Sequence, residues 1–203
     1  MTGGERIAAM LAAEGVDTVF GIIDGSYFGL YSSLAAHGIR LITPRHETSA
    51  VHMAGAYARI TGRIGVCIAS NGPGASNALA GIAVEEGEGN RVLLITSWRR
   101  HGIVGPDRGG TYQYFDQPTV IAAMSKSSEA ITDPERLGEA MARAFRHCWT
   151  VRPGVVHVTV CEDIINSVID TGVERDPARS RRQEPIAAHL EVVRQAAEML
   201  LAA

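Results

Sequence analysis

An α/β fold, with an open and mostly parallel sheet carrying helices on both faces, is predicted by three observations. Short runs rich in Val and Ile alternate with stretches of helical periodicity. Most of those runs are apolar nearly throughout, as strands buried on both faces are. Turns rich in Gly and Pro separate them.

Each element has its own signal. Thr2-x-x-Glu5 is a capping-box pattern, and Ile7, Met10 and Leu11 follow at helical spacing up to Gly15. VDTVFGI (16–22) reads as the first strand, GSYFGLYSSLAAHG (25–38) as turn and helix, and IRLITP (39–44) as the second strand. From Thr48 to Gly62, Val51, Ala54 and Ala58 lie on one helical face, with Gly62 as the stop. RIGVCIAS (63–70) is a third strand, NGPGASNALAGIAVEEG (71–87) a glycine-rich turn feeding a helix, and RVLLITS (91–97) a fourth strand. The next stretch, 98–118, reads as a long loop rich in Gly and Pro, of the kind that usually carries function or moves. A short apolar piece runs to Lys126, a helix is expected over 134–148, and PGVVHVTV (153–160) is the last strand. The predicted organisation is a domain over 1–165, a charged linker over 166–185, and an amphipathic helix over 186–203 whose stripe of Leu190, Val193, Ala197 and Leu200 wants a partner surface.

Composition narrows the function. With 46% apolar and 20% charged residues, mean hydropathy +0.05 and a net charge of −3, the chain gives no electrostatic reason to bind nucleic acid or an anionic membrane. No stretch reaches the length of a membrane span, and the first ten residues lack a secretory h-region, so a cytoplasmic location is the default expectation. Cys67, Cys148 and Cys161 lie far apart without a CxxC pair, which points to neither a zinc site nor a disulfide framework.

In parallel sheets the ligand crevice lies beyond the carboxyl ends of the strands. The turns after strands two, three and four carry Glu47, Asn71-Gly72-Pro73-Gly74 and the 98–118 loop, so all three open toward one edge. By itself, Glu47 in TPRHETS reads as a first-turn acid favoured by the helix dipole.

The order GVDTVFG (15–21), RHE (45–47), AGAYARITG (54–62), SNGPGASNALAGIA (70–83), Tyr112-Gln113 and RPGVV (152–156) resembles the pyrimidine-binding domain of thiamine-diphosphate-dependent enzymes of the acetolactate synthase type. Lys126 also falls where that family has a lysine, and the likeness covers roughly residues 4–165. FGII, GIRLI, HMA and NGPG are similar to the sulfoacetaldehyde acetyltransferase branch.

The resemblance implies that Glu47 is catalytic, hydrogen-bonding N1′ of the aminopyrimidine so that the thiazolium C2 can lose its proton and attack a 2-oxo acid. It also implies cofactor contacts at Gly25, Ser26, Gly72 and Asn77, and a substrate-side Gln113. His46 either faces the thiazolium or simply packs. The pattern is broken at Ile23-Asp24, where Pro-Gly is frequent, at Tyr114, at Arg91, and at Glu85, Glu86 and Glu88. Those departures suggest an unusual substrate or partner, although a solvated acidic helix end explains the glutamates equally well.

Family members bind the diphosphate and its Mg²⁺ through a Gly-Asp-Gly segment in another domain, and these 203 residues contain no Gly-Asp-Gly and no expected metal ligands of their own. Thiamine diphosphate would therefore be shared with a second subunit carrying the diphosphate-binding domain, which would also hold the Mg²⁺. Because the chain starts with Met and finishes a whole helix, a naturally split enzyme is expected in preference to a fragment. Homo- or hetero-oligomers are expected to form through the helices after Glu47 and after the GPG turn, with Ala50, Ala54, Ala78 and Gly81 allowing close approach. The implied reaction is decarboxylation of a 2-oxo acid, transfer of the resulting acyl unit, or both. The alternatives are a non-catalytic binding or regulatory protein on the same fold, and a sulfoacetaldehyde- or sulfopyruvate-type C–C lyase subunit.

Overall fold

The computed structural model describes residues 1–104, 112–169 and 188–203. Its centre is a sheet of six parallel strands in the order β2-β1-β3-β4-β6-β5. These are β1 (Thr18–Gly21), β2 (Arg40–Ile42), β3 (Gly65–Ala69), β4 (Val92–Trp98), β5 (Ser127–Ile131) and β6 (Val155–Cys161). The helices are α1 (Gly3–Ala13), α2 (Phe28–Leu34), α3 (Glu47–Thr61), α4 (Pro73–Gly87), α5 (His101–Val104), α6 (Gln117–Ala122), α7 (Leu137–Trp149), α8 (Glu162–Asn166) and α9 (Leu190–Leu201).

Strand alternation divides the core into two layers. Val19, Val66, Ile68, Leu93, Ile95, Val156, Val158 and Val160 face α1, α2, α7 and α8. Phe20, Cys67, Ala69, Val92, Leu94 and Val155 face α3, α4 and α6. On the second side the carboxyl-terminal halves of β4 and β6 turn polar, with Thr96, His157 and Thr159 all buried. That polar seam lies under α6 and shapes the site described below.

The capping box closes as expected: Glu5 N–H donates to Thr2 Oγ1 and Thr2 N–H to Glu5 Oε2. The chain returns to the same place, where Thr2 bridges Val168 and Ile169 N–H donates to Met1 O. All of α9 is exposed, including its apolar stripe, while most of the charged segment before it lies outside the described residues.

Several elements depart from the sequence reading. Part of the 98–118 loop is helical: α5 follows β4 directly, α6 starts at Gln117, and 105–111 lie outside the described residues. Asp116 caps α6, its carboxylate accepting from Thr119 N–H, with Pro118 in the first turn. This Asp-x-Pro start signal was readable in the sequence. Strand β5 was not expected, because SSEAI is polar; as an edge strand it needs only one apolar residue, and Ile131 supplies it.

The small residues assigned to an intermolecular face are consumed inside the chain. Ala50, Ala54 and Ala78 are fully buried between α3 and α4, and a side chain on Gly81 would meet Val51 Cβ at 2.8 Å. The outward faces of these helices carry Ala56, Ile60, Ala80, Ala83 and Val84 instead. Of the glutamates at the end of α4, Glu85 and Glu86 are turned to internal partners, and Glu88 alone is exposed. Glu85 is buried and bonded to His52 and Asn90, Glu86 accepts from Val155 N–H at 2.6 Å, and Glu88 pairs with Arg59 at 2.8 Å. Arg91 likewise has local work, donating from Nε to Cys148 O at 2.9 Å and lying 4.2 Å over the Trp149 ring.

Candidate active site

Glu47 is the first residue of α3, and His46 is its N-cap. The His46 Nδ1 accepts from Thr48 N–H at 3.2 Å, so this imidazole closes the helix end and stays exposed. Glu47 is half-buried and reaches across to the neighbouring helix, where Asn77 Nδ2 donates to its Oε2 at 3.0 Å. A second tie joins the same two helices: Thr48 Oγ1 donates to Asn77 O at 2.5 Å. The RHE turn and the GPG-x-x-N turn thus meet through a carboxylate and an amide, side chains thirty positions apart.

The turn between β3 and α4 demands glycine. Gly72 has φ +57° and ψ −111°, in the region disfavoured for side-chain-bearing residues. The backbone of Gln113 also lies against it, with Cα 2.7 Å from where a Gly72 Cβ would stand. Gln113 itself has φ +60°. At Gly74 a Cβ would run into Ser70 Oγ and come to 3.5 Å from Glu47 Oε1, so glycine here makes room for the Ser70 hydroxyl beside the carboxylate.

Beneath this turn runs a buried hydrogen-bond network. Ser97 Oγ accepts from Asn71 N–H at 2.9 Å and lies 2.5 Å from Ser26 Oγ. Gln117, fully buried, accepts from Gly72 N–H at 3.3 Å. Its Nε2 lies 2.8 Å from Ser97 O, 2.9 Å from Thr96 Oγ1 and 2.7 Å from Thr159 Oγ1. Thr96 Oγ1 continues to His157 Nε2 at 2.9 Å, and His157 Nδ1 to Ser128 Oγ at 2.7 Å. Burial lowers the His157 pKa to about 3, so the ring is neutral. Gln117 was missed in the sequence because its importance comes from where α6 packs, not from its neighbours in the chain.

Besides the Ser26–Ser97 contact, the loop after β1 is held by Asp24 and Asn166. Asp24 Oδ1 accepts from Ser26 N–H at 2.8 Å, which gives the Ile23-Asp24 departure a turn-forming role. Asn166 Nδ2 donates to Ser26 O at 3.0 Å, while its Oδ1 accepts from Gly29 N–H at 2.8 Å. Gly25 has open space where a side chain would be.

Glu47 with Asn77, Gly72 with Gln113, and Ser26 with Asn71 through Ser97 therefore gather at the carboxyl edge of β1, β3 and β4, while His46 is occupied as a cap. Asn71 stands out: it is fully inaccessible, yet both atoms of its amide lack a partner among the described residues. An orphaned amide at depth costs about 1–3 kcal/mol. A carboxylate, amides and a glycine backbone at the carboxyl edge of the sheet fit the pyrimidine half of thiamine diphosphate. For the diphosphate half, no group of three His, Cys, Asp or Glu among the described residues could hold a metal ion. The cysteines offer no nucleophile there: all three are buried, and burial pushes the Cys148 and Cys161 thiols up to about 12 and Cys67 further. Lys126 donates to His147 O and Thr150 O, away from this edge. No helix among the described residues is long and apolar enough to cross a membrane.

Comparison with known proteins bears on the same residues. The family described as "Thiamine pyrophosphate enzyme, N-terminal TPP binding domain" matches residues 1–120. A probable acetolactate synthase large subunit of Methanocaldococcus jannaschii is 32% identical over 91% of this chain and 30% of its own length. A probable 2-ketoarginine decarboxylase of Pseudomonas aeruginosa is 34% identical over 100% of this chain and 36% of its own. The acetolactate synthase large subunit of Corynebacterium glutamicum is 35% identical over 84% of this chain and 27% of its own. The chain thus spans about a third of the length of these relatives. Since the family match runs through both the RHE and GPG-x-x-N turns that the fold brings together, the chain belongs to the thiamine pyrophosphate enzymes, as an N-terminal TPP-binding domain.

Proposed function

We propose that this chain supplies the pyrimidine-binding part of a thiamine-diphosphate-dependent enzyme that decarboxylates a 2-oxo acid, transfers the resulting acyl unit, or does both. The observation that carries this reading is the Glu47–Asn77 contact at the edge of the crevice, with Glu47 only half-buried. When bound, the cofactor supplies a carbon nucleophile and an electron sink. Glu47 would hold and release a proton at N1′, and Asn77, by engaging one carboxylate oxygen, would leave the other free for that exchange. Gly72, Gly25 and Ser26 line the approach, and Gln113 sits on the substrate side.

Diphosphate and Mg²⁺ contacts have to come from outside these residues, and we assign them to a second subunit that carries a Gly-Asp-Gly segment. Association uses the outward faces of α3 and α4, where Ile60 and Val84 are exposed. Sedimentation velocity with and without that subunit reads it. A cytoplasmic setting agrees with three free, buried cysteines. Which 2-oxo acid reacts is a property of the whole enzyme.

The deciding experiment is Glu47→Gln in the assembled enzyme. Gln is nearly isosteric and keeps a hydrogen bond, but it cannot hand over a proton. Turnover and exchange of the cofactor C2 proton are expected to fall by about 10²–10⁴, with assembly and thermal unfolding unchanged. If Glu47 serves only as a helix-terminal charge, the substitution costs roughly 0.3–1 kcal/mol of stability and leaves exchange intact. That outcome would favour a non-catalytic binding protein on this fold.

A further inference from the structure

On the edge of the sheet opposite Glu47 lies a cleft of about 630 Å³, lined by Asp17, Thr18, Arg40, Tyr57, Thr61 and Arg63. Thr18 and Arg40 are register neighbours on β1 and β2, while Tyr57 and Thr61 belong to the last turns of α3. The Asp17 carboxylate is fully engaged. It accepts from Thr18 Oγ1 at 2.9 Å, from the Tyr57 hydroxyl at 2.6 Å and from Arg63 Nη1 at 2.6 Å. These donors, Tyr57 foremost, hold its carboxyl below the usual range. Arg63 therefore balances Asp17, and the Arg40 guanidinium has no hydrogen-bond or ion-pair partner among the described residues.

Two guanidiniums thus stand against one carboxylate in a single concavity, leaving an excess positive charge beside an aromatic ring. A guanidinium presents a fork of donors that matches an oxyanion, and a concave wall concentrates its field. We propose that this cleft is a binding site for a small oxyanion, a phosphate or a polycarboxylate, with Arg40 as its principal contact. Tyr57 forms its wall, and the Arg63 donors not used by Asp17 reach the same anion. The site is independent of the function proposed for Glu47. Its occupant would touch the far end of the helix that Glu47 begins, roughly 20 Å away along α3.

The test is isothermal titration calorimetry on the full chain, with inorganic phosphate and citrate as probes and sodium chloride at matched ionic strength as control. Saturable binding of at least one probe is expected, and whichever binds more tightly identifies the class. Arg40→Ala should weaken that binding at least ~10-fold without moving the thermal midpoint, because the Arg40 side chain holds nothing else in place. Absence of saturable heat above the chloride control would overturn the proposal. So would unchanged affinity in Arg40→Ala, which would place the anion elsewhere.

Discussion

His157 shows how much one buried side chain can commit a fold to a pH range. It is 1% exposed, flanked by Thr96 and Ser128, and its ring is neutral because burial holds its pKa near 3. In the unfolded chain the same imidazole titrates near the ordinary 6.5. Between those values the unfolded state binds the extra proton. The contribution to stability is therefore complete above about 6.5 and is lost as pH falls toward 3. The thermal midpoint should drop across that window. His157→Gln, which keeps hydrogen bonds to its neighbours without the titration, should flatten the drop while lowering stability at neutral pH. Parallel midpoint–pH curves for the two proteins would show that His157 does not couple folding to pH. Glu47 and Asn77 make the contrasting pair at this scale. Their residue types were readable in their turns, whereas the 3.0 Å bond joining them depends on two helices meeting.

Among the elements, close approach decides which positions tolerate change. A side chain on Gly4 of α1 would run into the backbone of Gly29 and Leu30 in α2. Gly4→Ala should force these helices apart and cost ~1–3 kcal/mol, the usual range for overpacking, seen as a lower midpoint in chemical denaturation. Gly87, at the end of α4, has nothing within 4 Å of its would-be Cβ and no positive φ. Gly87→Ala should be neutral or slightly stabilising, by roughly 0.4–1 kcal/mol. Equal effects at the two positions would refute the packing argument. The same physics explains α3 and α4. Gly55 faces the Glu85 carboxylate and Gly81 faces Val51, so small residues here serve the internal contact and larger apolar residues are left outside.

For the whole molecule, the decisive observation is that Glu47, Asn77 and the Gly72 turn gather at one edge while no metal-ligand cluster occurs among the described residues. A diphosphate carries its charge at the end of the cofactor that we have assigned to a second subunit. Magnesium normally takes carboxylate, water and phosphate oxygens together. Calorimetry of this chain alone should accordingly show weak or undetectable binding of thiamine diphosphate with Mg²⁺, and much tighter binding once the second subunit is added. Tight, Mg²⁺-dependent binding to the isolated chain would contradict the division of the site between subunits.

The alternation of apolar strands with amphipathic helices determined the α/β class, and the turn residues determined which segments meet the crevice. Both follow from local patterning: buried parallel strands must be apolar on both faces, and a glycine such as Gly72 permits the positive φ that its turn takes. Strand β5 escaped that patterning because an edge strand can remain polar, and in α6, whose start was readable, the buried Gln117 looks like any surface glutamine. Only the tertiary structure decided that Gln117 joins the Gly72 turn to β4 and β6, that Arg91 stacks on Trp149, and that Glu85 and Glu86 are bonded rather than solvated. The reason is physical: a polar side chain takes its role from the partners that burial forces on it, and those partners lie far away along the chain.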